Sequence, residues 1–270
     1  MLIFTHISLA SVNELYKYKL EGFSLPEFPG YTTDQWGIKA HNRPWLEEQG
    51  HFSEGHKIIE VGGGYSLLPL YLAQKYNLEA WNGDDFGQSN GEPTWSRWGD
   101  PRKYSLSNPQ VKYVFENFGN FSPQYPNAYF DRIFTISTLE HIPTEKHLDF
   151  LLDTHRCLAP GGLELHTIDI ALPSIYAVFK NILIDKFLKV FPFMSNFPKI
   201  AKHASEIFKW VEVFQRSGVR LGLPIPNPLL LLNTQTLIES YDVVYRFYPP
   251  NNSPKPYRPS ASLLLIIENQ

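Results

Sequence analysis

A glycine-rich turn at residues 60–66 constrains the fold of this 270-residue chain more than any other stretch. It reads Glu-Val-Gly-Gly-Gly-Tyr-Ser and continues from a short apolar run that begins at Lys57. Consecutive glycines let a backbone turn sharply and approach a ligand closely, because no Cβ stands in the way. Ser66 can then cap the helix that follows. A strand, a glycine turn and a helix N-terminus in this order predict a nucleotide site in an α/β fold.

Composition sets wide limits around that turn. The chain is 43% hydrophobic and 19% charged, which is typical of a globular protein with a substantial core. A formal net charge of −3 and the lack of any basic run give no electrostatic reason to expect nucleic-acid binding. The single cysteine, Cys157, excludes an internal disulfide or a cysteine-based zinc cluster, and is compatible with a reducing, cytoplasmic compartment. We expect Cys157 to be buried.

The first ten residues are apolar, but they are few and lack a basic lead-in. We therefore expect residues 1–10 to form a packed terminal segment and not a signal peptide. No apolar run approaches the length of a membrane span, so we expect no stable membrane insertion.

A pair of acids follows the glycine turn at a spacing that suits a nucleotide site. Residues 78–82 predict a second strand, which ends in Gly-Asp-Asp-Phe. Asp84 and Asp85 lie a little over 20 residues after Glu60, close to the spacing at which α/β nucleotide domains place a ribose-binding acid. A carboxylate suits two ribose hydroxyls because it offers two acceptor oxygens. Either acid can serve, and we prefer Asp84.

The next hundred residues continue the alternation of strands and helices. They predict three strands, at residues 111–115, 133–136 and 163–168, and one amphipathic helix at residues 147–158. Ser137 and His141 follow the fourth strand, at the edge where open α/β sheets bind their ligands.

Taken together, these motifs resemble the class I S-adenosylmethionine-dependent methyltransferases. The resemblance covers residues 55–170 and includes Phe-Asp-Arg-Ile at 130–133, Leu-Glu-His-Ile at 139–142 and the Ala-Pro-Gly-Gly that ends the helix. It implies an α/β, Rossmann-like, seven-stranded and mostly parallel sheet with helices on both faces. One departure is Ser66, which stands where the family usually carries a further glycine.

The resemblance also implies S-adenosylmethionine as the cofactor and assigns its contacts. The expected cofactor-binding residues are Glu60, Gly62, Gly63 and Gly64 at the methionyl part, Asp84 or Asp85 at the ribose, Phe86, Asn117, Phe118 and Gly119 around adenine, and Ser137 near the methionyl group or the methyl. We expect no metal, because Ser137 and Thr138 stand where metal-dependent members present an acid.

We predict a single domain with variable flanks. Residues 1–50, with helical patterns at 13–20 and from 32 to 46, form an N-terminal helical lid or a helical decoration, and residues 55–170 form the cofactor-binding core. Residues 171–232 form a helical cap insertion, with helices predicted at 179–191 and 198–218. These helices either pack on the core or cover an apolar acceptor. Residues 233–270 supply the final strands, at 241–248 and 261–268.

The function implied is methyl transfer to a small or medium, apolar acceptor of natural-product or peptide origin. We expect oxygen of a carboxylate or hydroxyl as the attacking atom, with N- or C-methylation as alternatives. A carboxylate is ionised at pH 7, whereas an alcohol or ammonium must lose a proton. His141 is the preferred base, with His166 as a further candidate and Asp169 as a residue that could also face the acceptor.

Two readings from other classes remain open. A nicotinamide-dependent oxidoreductase is disfavoured because Leu67 stands at the sixth position of Gly-x-Gly-x-x-Gly. A catalytically silent methyltransferase-like partner subunit is disfavoured by the intact acids at 60, 84 and 85. The sequence leaves the oligomeric state open.

Overall fold

The computed structural model describes residues 1–23, 25, 38–87, 99–171, 201–224, 231, 235–238 and 260–270. Within these ranges the strands are β1 (Leu2–Leu9), β2 (Lys57–Val61), β3 (Glu79–Gly83), β4 (Val111–Val114), β5 (Phe130–Ile136), β6 (Leu158–Ala171), β7 (Arg220–Leu221) and β8 (Ser260–Asn269). The helices are α1 (Val12–Leu20), α2 (Ile38–Gly50), α3 (Leu68–Tyr76), α4 (Pro101–Ser107), α5 (His147–Cys157) and α6 (Ala201–Arg216).

The strands form one sheet in the order β4-β3-β2-β5-β6-β8-β1-β7. The five strands from β4 to β6 are parallel to one another, and β8 runs antiparallel to both β6 and β1. This confirms the Rossmann-like, mostly parallel sheet with an antiparallel strand near the end of the chain. The strand predicted at 261–268 lies within β8, and the one predicted at 241–248 lies outside the described residues.

The prediction for the first residues needs a correction. They were assigned to a helical flank, but Leu2–Leu9 forms a strand inside the sheet, so the described residues make eight strands instead of seven. Its pairing with β8 shifts register between Phe4 and His6, and this bulge breaks the strict alternation by which a strand is recognised. The predicted helix at 13–20 is confirmed as α1, which Ser11 and Glu14 begin with a capping box.

The two faces of the sheet bury separate apolar clusters, and β8 contributes to both. Leu263, Leu265 and Ile267 point to the face covered by α5 and α6, while Leu264 and Ile266 point to the face covered by α2 and α3. An almost continuous apolar run is the pattern expected of a strand covered on both sides. The sheet is therefore a central layer between two layers of helices.

The helix predicted at 198–218 is confirmed as α6, which ends shortly before Gly218. Its buried residues follow helical spacing and pack against the sheet: Ile207, Trp210, Val211 and Phe214. The helix predicted at 179–191 lies outside the described residues. Cys157 is fully buried at the end of α5, as expected, and burial raises its pKa to about 12. Among the described helices, none combines the length and apolar character needed to cross a membrane.

Candidate functional site

The parallel strands end together at what we call the carboxyl edge, formed by the last residues of β2 to β6. From β2 the chain moves outward to β3 and β4, and then returns to the other side of β2 to form β5 and β6. The strand order therefore reverses between β2 and β5. Such a switch point leaves a crevice at the carboxyl edge, where open α/β sheets bind ligands.

The glycine turn lies at this switch point and is closed by contacts with its neighbours. Gly62 has φ +72°, and its N–H donates to the Gly83 carbonyl at 2.8 Å. A Cβ on Gly62 would stand 2.1 Å from Thr138 Cγ2, beyond the end of β5. Gly62 is therefore required both by its backbone conformation and by the close approach of two strand ends.

Glu60 places a buried carboxyl group beside this turn. Its side chain is 3% exposed, and burial raises its pKa to about 7, although a hydrogen bond from Ser66 and the charges of Arg43 and Lys39 oppose the shift. Its Oε2 has no hydrogen-bond partner among the described residues. Such an atom is costly to bury unless a ligand satisfies it.

Asn82 adds a second unsatisfied oxygen at the same place. It pairs with Glu60 across β2 and β3, and it is 1% exposed. Its Nδ2 donates to the Gly64 carbonyl at 3.1 Å, while its Oδ1 lacks a partner within the described part of the chain. A Cβ on Gly63 would meet Asn82 and Glu60 at 3.0 Å. Together, Glu60 and Asn82 offer acceptors to a ligand that carries hydrogen-bond donors.

The two acids after β3 have different surroundings. Asp84 is 8% exposed, and its two oxygens accept hydrogen bonds from Gly64 N–H at 2.8 Å and Phe86 N–H at 2.6 Å. Burial raises its pKa to about 6, against the effect of these bonds. Asp85 is less buried and accepts from Gly87 N–H and from Asn117 Nδ2, both at 2.8 Å. Asp84 thus braces the glycine turn, whereas Asp85 lies at the more open position.

The residues expected around adenine are only partly brought together. Asn117 reaches Asp85, and Phe86 has φ +54° and packs edge-on against Tyr65 with ring centroids 5.2 Å apart. Phe118 instead stacks on Tyr125 at 4.1 Å within the apolar core. The N–H of Gly119 donates to Asp153 in α5 at 2.8 Å. The turn after β4 is therefore anchored to α5, and Phe118 is packed within the apolar core.

Ser137 occupies the end of β5 in a left-handed conformation, with φ +49°. Its N–H donates to the Thr167 carbonyl at 2.8 Å, whereas its buried hydroxyl has no partner among the described residues. A left-handed non-glycine residue is uncommon and is often found at a functional site. Ser137 thus presents a third unsatisfied polar atom at this edge.

The two histidines proposed as bases lie in different places. His141 is exposed at the end of a short 3₁₀ turn (Leu139–His141), and its backbone N–H donates to the Thr138 carbonyl. His166 has no exposed surface; its Nδ1 lies 2.9 Å from Thr135 Oγ1 and its Nε2 lies 3.3 Å from Glu164 Oε2. Its ring packs on Phe214 of α6 at 5.1 Å. His166 therefore belongs to the face under α6.

Glu140, between Leu139 and His141, points to the carboxyl edge and was not selected from the sequence. Its Oε1 accepts from the N–H of Asp169 in β6 at 3.2 Å. Glu140 Oε2 and Asp169 Oδ1 are buried and lack partners among the described residues. Burial, followed by the charge of Asp169, raises the pKa of Glu140 to about 8, and Lys39 of α2 opposes the shift. Periodicity cannot show which residue of a Glu-His pair a 3₁₀ turn directs inward.

A surface cavity of about 570 Å³ lies between α1, α2 and α3. None of the residues proposed for the cofactor or for catalysis lines it. Its lysines, Lys17 and Lys75, pair with Glu48 and Glu47. The candidate site is therefore placed at the carboxyl edge and not at this cavity.

The strand order, the antiparallel β8 and the glycine turn at the switch point define a Rossmann-like α/β fold with a mostly parallel sheet. No protein-family model and no curated protein matches the chain. Solved structures do match. Geranyl diphosphate C-methyltransferase from Streptomyces coelicolor A3(2) is 10% identical with a TM-score of 0.48, and the match covers 98% of this chain and 91% of that one.

Two further structures give similar values. Phosphoethanolamine N-methyltransferase 2 from Haemonchus contortus is 14% identical with a TM-score of 0.45, covering 95% of this chain and 57% of that one. The YcgJ protein from Bacillus subtilis is 12% identical with a TM-score of 0.47, covering 84% and 97%. All three likenesses are weak, so the fold is assigned from the strand order itself.

Proposed function

We propose that this chain is an S-adenosylmethionine-dependent methyltransferase that acts on a small or medium organic acceptor. The observation that carries the proposal is the buried carboxyl group of Glu60, whose Oε2 lacks a partner among the described residues beside a glycine turn at the switch point. A cofactor with an ammonium group and ribose hydroxyls would supply the missing donors. Asn82 Oδ1 and Ser137 Oγ, also unpartnered there, suit the same ligand.

The residues that would hold the cofactor follow from their positions. Glu60 and the turn from Gly62 to Gly64 would hold the methionyl part, and Ser137 would lie near it. Asp84 and Asp85 remain the ribose candidates. We prefer Asp85, because it is less buried than Asp84, which is enclosed by the turn. When bound, the cofactor supplies an activated methyl group on a sulfonium.

The chain's own residues would bind and align the acceptor and exclude water, which accounts for most of the rate in such a reaction. Lys39 and Arg43 of α2 lie close enough to Glu60 for their positive charges to lower its pKa. This supports the proposal that the N-terminal helical region covers the site. The proposals of a cap from the 171–232 insertion and of an apolar acceptor rest on the sequence alone.

The carboxyl oxygens favour one kind of acceptor over another. Glu60, Glu140 and Asp169 all place such oxygens at the carboxyl edge, and a hydroxyl or amine can donate a hydrogen bond to them, whereas an ionised carboxylate cannot. We therefore propose that the attacking atom belongs to a hydroxyl or an amine. His141 and His166 remain predicted bases. Because His141 is exposed and His166 is fully buried, Glu140 is a stronger candidate for the base.

Isothermal titration calorimetry tests the cofactor assignment. S-adenosylmethionine and S-adenosylhomocysteine should both bind, and NAD should not. Glu60→Gln should weaken binding of S-adenosylmethionine by roughly 10-fold or more, since a charged hydrogen bond contributes about 1.5–3 kcal/mol. Glu145→Gln, at an exposed position, is the matched control and should bind as the wild type does. A folded protein that binds neither sulfur compound would disprove the proposal.

A further inference from the structure

We propose that Glu140 accepts the proton of the methyl acceptor and that Asp169 is its positioning residue, so that the acceptor must carry a proton on its attacking atom. The inference rests on the proposed function, because the acceptor is the substrate of that reaction. The substrates are then alcohols, phenols or amines, and not carboxylates.

The geometry places the two carboxyl groups at adjoining strand ends. β5 and β6 are parallel neighbours, and their pairing runs to Ile136 and Thr167, just before the 3₁₀ turn and Asp169. The Asp169 N–H donates to Glu140 Oε1 at 3.2 Å, which directs the Glu140 side chain toward β6. Glu140 Oε2 and Asp169 Oδ1 are then left buried without a partner in the described part of the chain. These two oxygens can accept a hydrogen bond from a donor group of a ligand.

A second observation places this pair beside the proposed cofactor site. Thr138, two residues before Glu140, lies against Gly62, where an added Cβ would be 2.1 Å from its methyl group. Glu60, 3% exposed, has its own unpartnered oxygen on the same strand as that turn. Lys39 acts electrostatically on both Glu60 and Glu140. The pair therefore lies at the edge where a methyl group would be delivered.

The charged groups around Glu140 come from two packed elements. Asp169 of β6 and burial both favour the protonated form, whereas Lys39 of α2 favours the ionised form. Two carboxyl groups this close do not ionise independently, and one of them keeps its proton at a higher pH. The raised pKa of Glu140, about 8, is suited to a base that works near neutral pH.

The proton transfer moves one proton from the acceptor to Glu140. The acceptor's O–H or N–H proton passes to Glu140 Oε2, and the bonding electron pair stays on the oxygen or nitrogen, which becomes the nucleophile. Glu140 later returns the proton to solvent. A carboxylate acceptor has no such proton at pH 7 and cannot donate a hydrogen bond to this pair.

Carbon-13 NMR of protein labelled at the glutamate side-chain carboxyl groups tests the inference without substrate. The signal that disappears in Glu140→Gln belongs to Glu140, and its shift should titrate with a midpoint near 8. Asp169→Asn should lower this midpoint by about one pH unit or more, because it removes a like charge. Lys39→Met should raise it. Opposite shifts from two substitutions distinguish electrostatic positioning from a general disturbance of the fold.

Glu164 supplies the control within the same spectra, since it is fully buried but paired with His155, and its pKa is lowered to about 2. A Glu140 midpoint near the ordinary glutamate value, or one that Asp169→Asn does not move, would overturn the inference, as would a methyl ester as the enzyme's product. Calorimetry with S-adenosylhomocysteine separates the two proposals. Glu140→Gln should bind it normally. Failure of the wild type to bind would defeat the proposed function and the inference with it, whereas normal binding together with an ordinary Glu140 midpoint would defeat the inference alone.

Discussion

Asn42 in α2 donates a hydrogen bond to Ser262 Oγ in β8 at 2.9 Å, although 220 residues separate the two along the chain. The same amide nitrogen donates to Thr167 Oγ1 in β6 at 3.1 Å. Asn42, Thr167 and Ser262 have no exposed surface. One side chain thus joins a helix to two neighbouring antiparallel strands, and that helix carries Lys39 to the carboxyl edge.

We predict that Asn42→Leu destabilises the fold by about 1–3 kcal/mol, because two buried hydroxyls lose their donor. The free energy of unfolding in urea measures the change. Affinity for S-adenosylhomocysteine should also fall as α2 loosens. Gln110→Leu, at an exposed position, is the control and should change neither quantity. Unchanged stability in Asn42→Leu would mean that α2 is held by its apolar contacts alone.

Gly62→Ala should cost about 2–3 kcal/mol of stability, because the new Cβ is both overpacked against Thr138 and strained at φ +72°. Gly22→Ala is a matched control: its φ is +73°, but a Cβ there meets nothing within 4 Å. The loss of stability in Gly22→Ala should therefore come from backbone strain alone.

Adding Thr138→Ala to Gly62→Ala should recover part of the loss, since it removes the methyl and hydroxyl groups nearest to the new Cβ. Chemical denaturation of the single and double variants gives the coupling energy between the two sites. Purely additive costs would show that the contact does not govern the requirement for glycine.

Phe4→Ala should destabilise the protein by about 3–5 kcal/mol, because Phe4 in β1 is fully buried and packs edge-on against Phe214 at 5.7 Å. Phe208→Ala in α6 removes a ring that is 45% exposed and should cost much less. Thermal and urea unfolding compare the two. Equal costs would contradict the position of β1 inside the sheet.

The stability of the protein should depend on the ionisation of Glu164. Burial by itself would raise the pKa of this carboxyl group, but His155 and His166 outweigh burial and lower the pKa to about 2. The ordinary value is 4.5, so the stabilisation is fully present above pH 4.5 and is lost as the pH falls toward 2. The difference corresponds to about 3 kcal/mol at most.

Urea unfolding at a series of pH values between 6 and 3 should therefore show a steeper loss of stability in the wild type than in Glu164→Gln. Glu145→Gln removes an exposed carboxylate and should retain the wild-type slope. Parallel curves for all three proteins would indicate that Glu164 has an ordinary pKa.

The sequence predicted the parts of the fold that local patterns determine. The glycine turn, the helix from His147 and the apolar strand before Glu268 all carry their signals within a few residues. β1 was missed because its bulge disturbs the alternation and its partner, β8, lies at the opposite end of the described chain. Pairings between distant residues leave little trace in either segment taken alone.

The candidate site shows the same division. The acids at 60, 84 and 85 lie at the carboxyl edge, as their regular spacing from the glycine turn predicts, because they directly follow or end strands. The inward direction of Glu140 and the outward direction of His141 depend on one 3₁₀ turn and on a backbone N–H from β6. Phe118 was expected at the adenine, but the anchoring of Gly119 to Asp153 turns it toward the core. Tertiary contacts, and not spacing, decide these side chains.

The position of β1 bears on the order in which the protein can be made. Leu2–Leu9 leaves the ribosome before every other described strand, yet its long partner, Ser260–Asn269, leaves after all of them. Until Ser260–Asn269 has emerged, Phe4, Ile7 and Leu9 must remain without the strand that later pairs with them. The nascent chain therefore carries an unpaired apolar edge while more than 250 residues are added, which is the situation in which chaperones protect folding proteins.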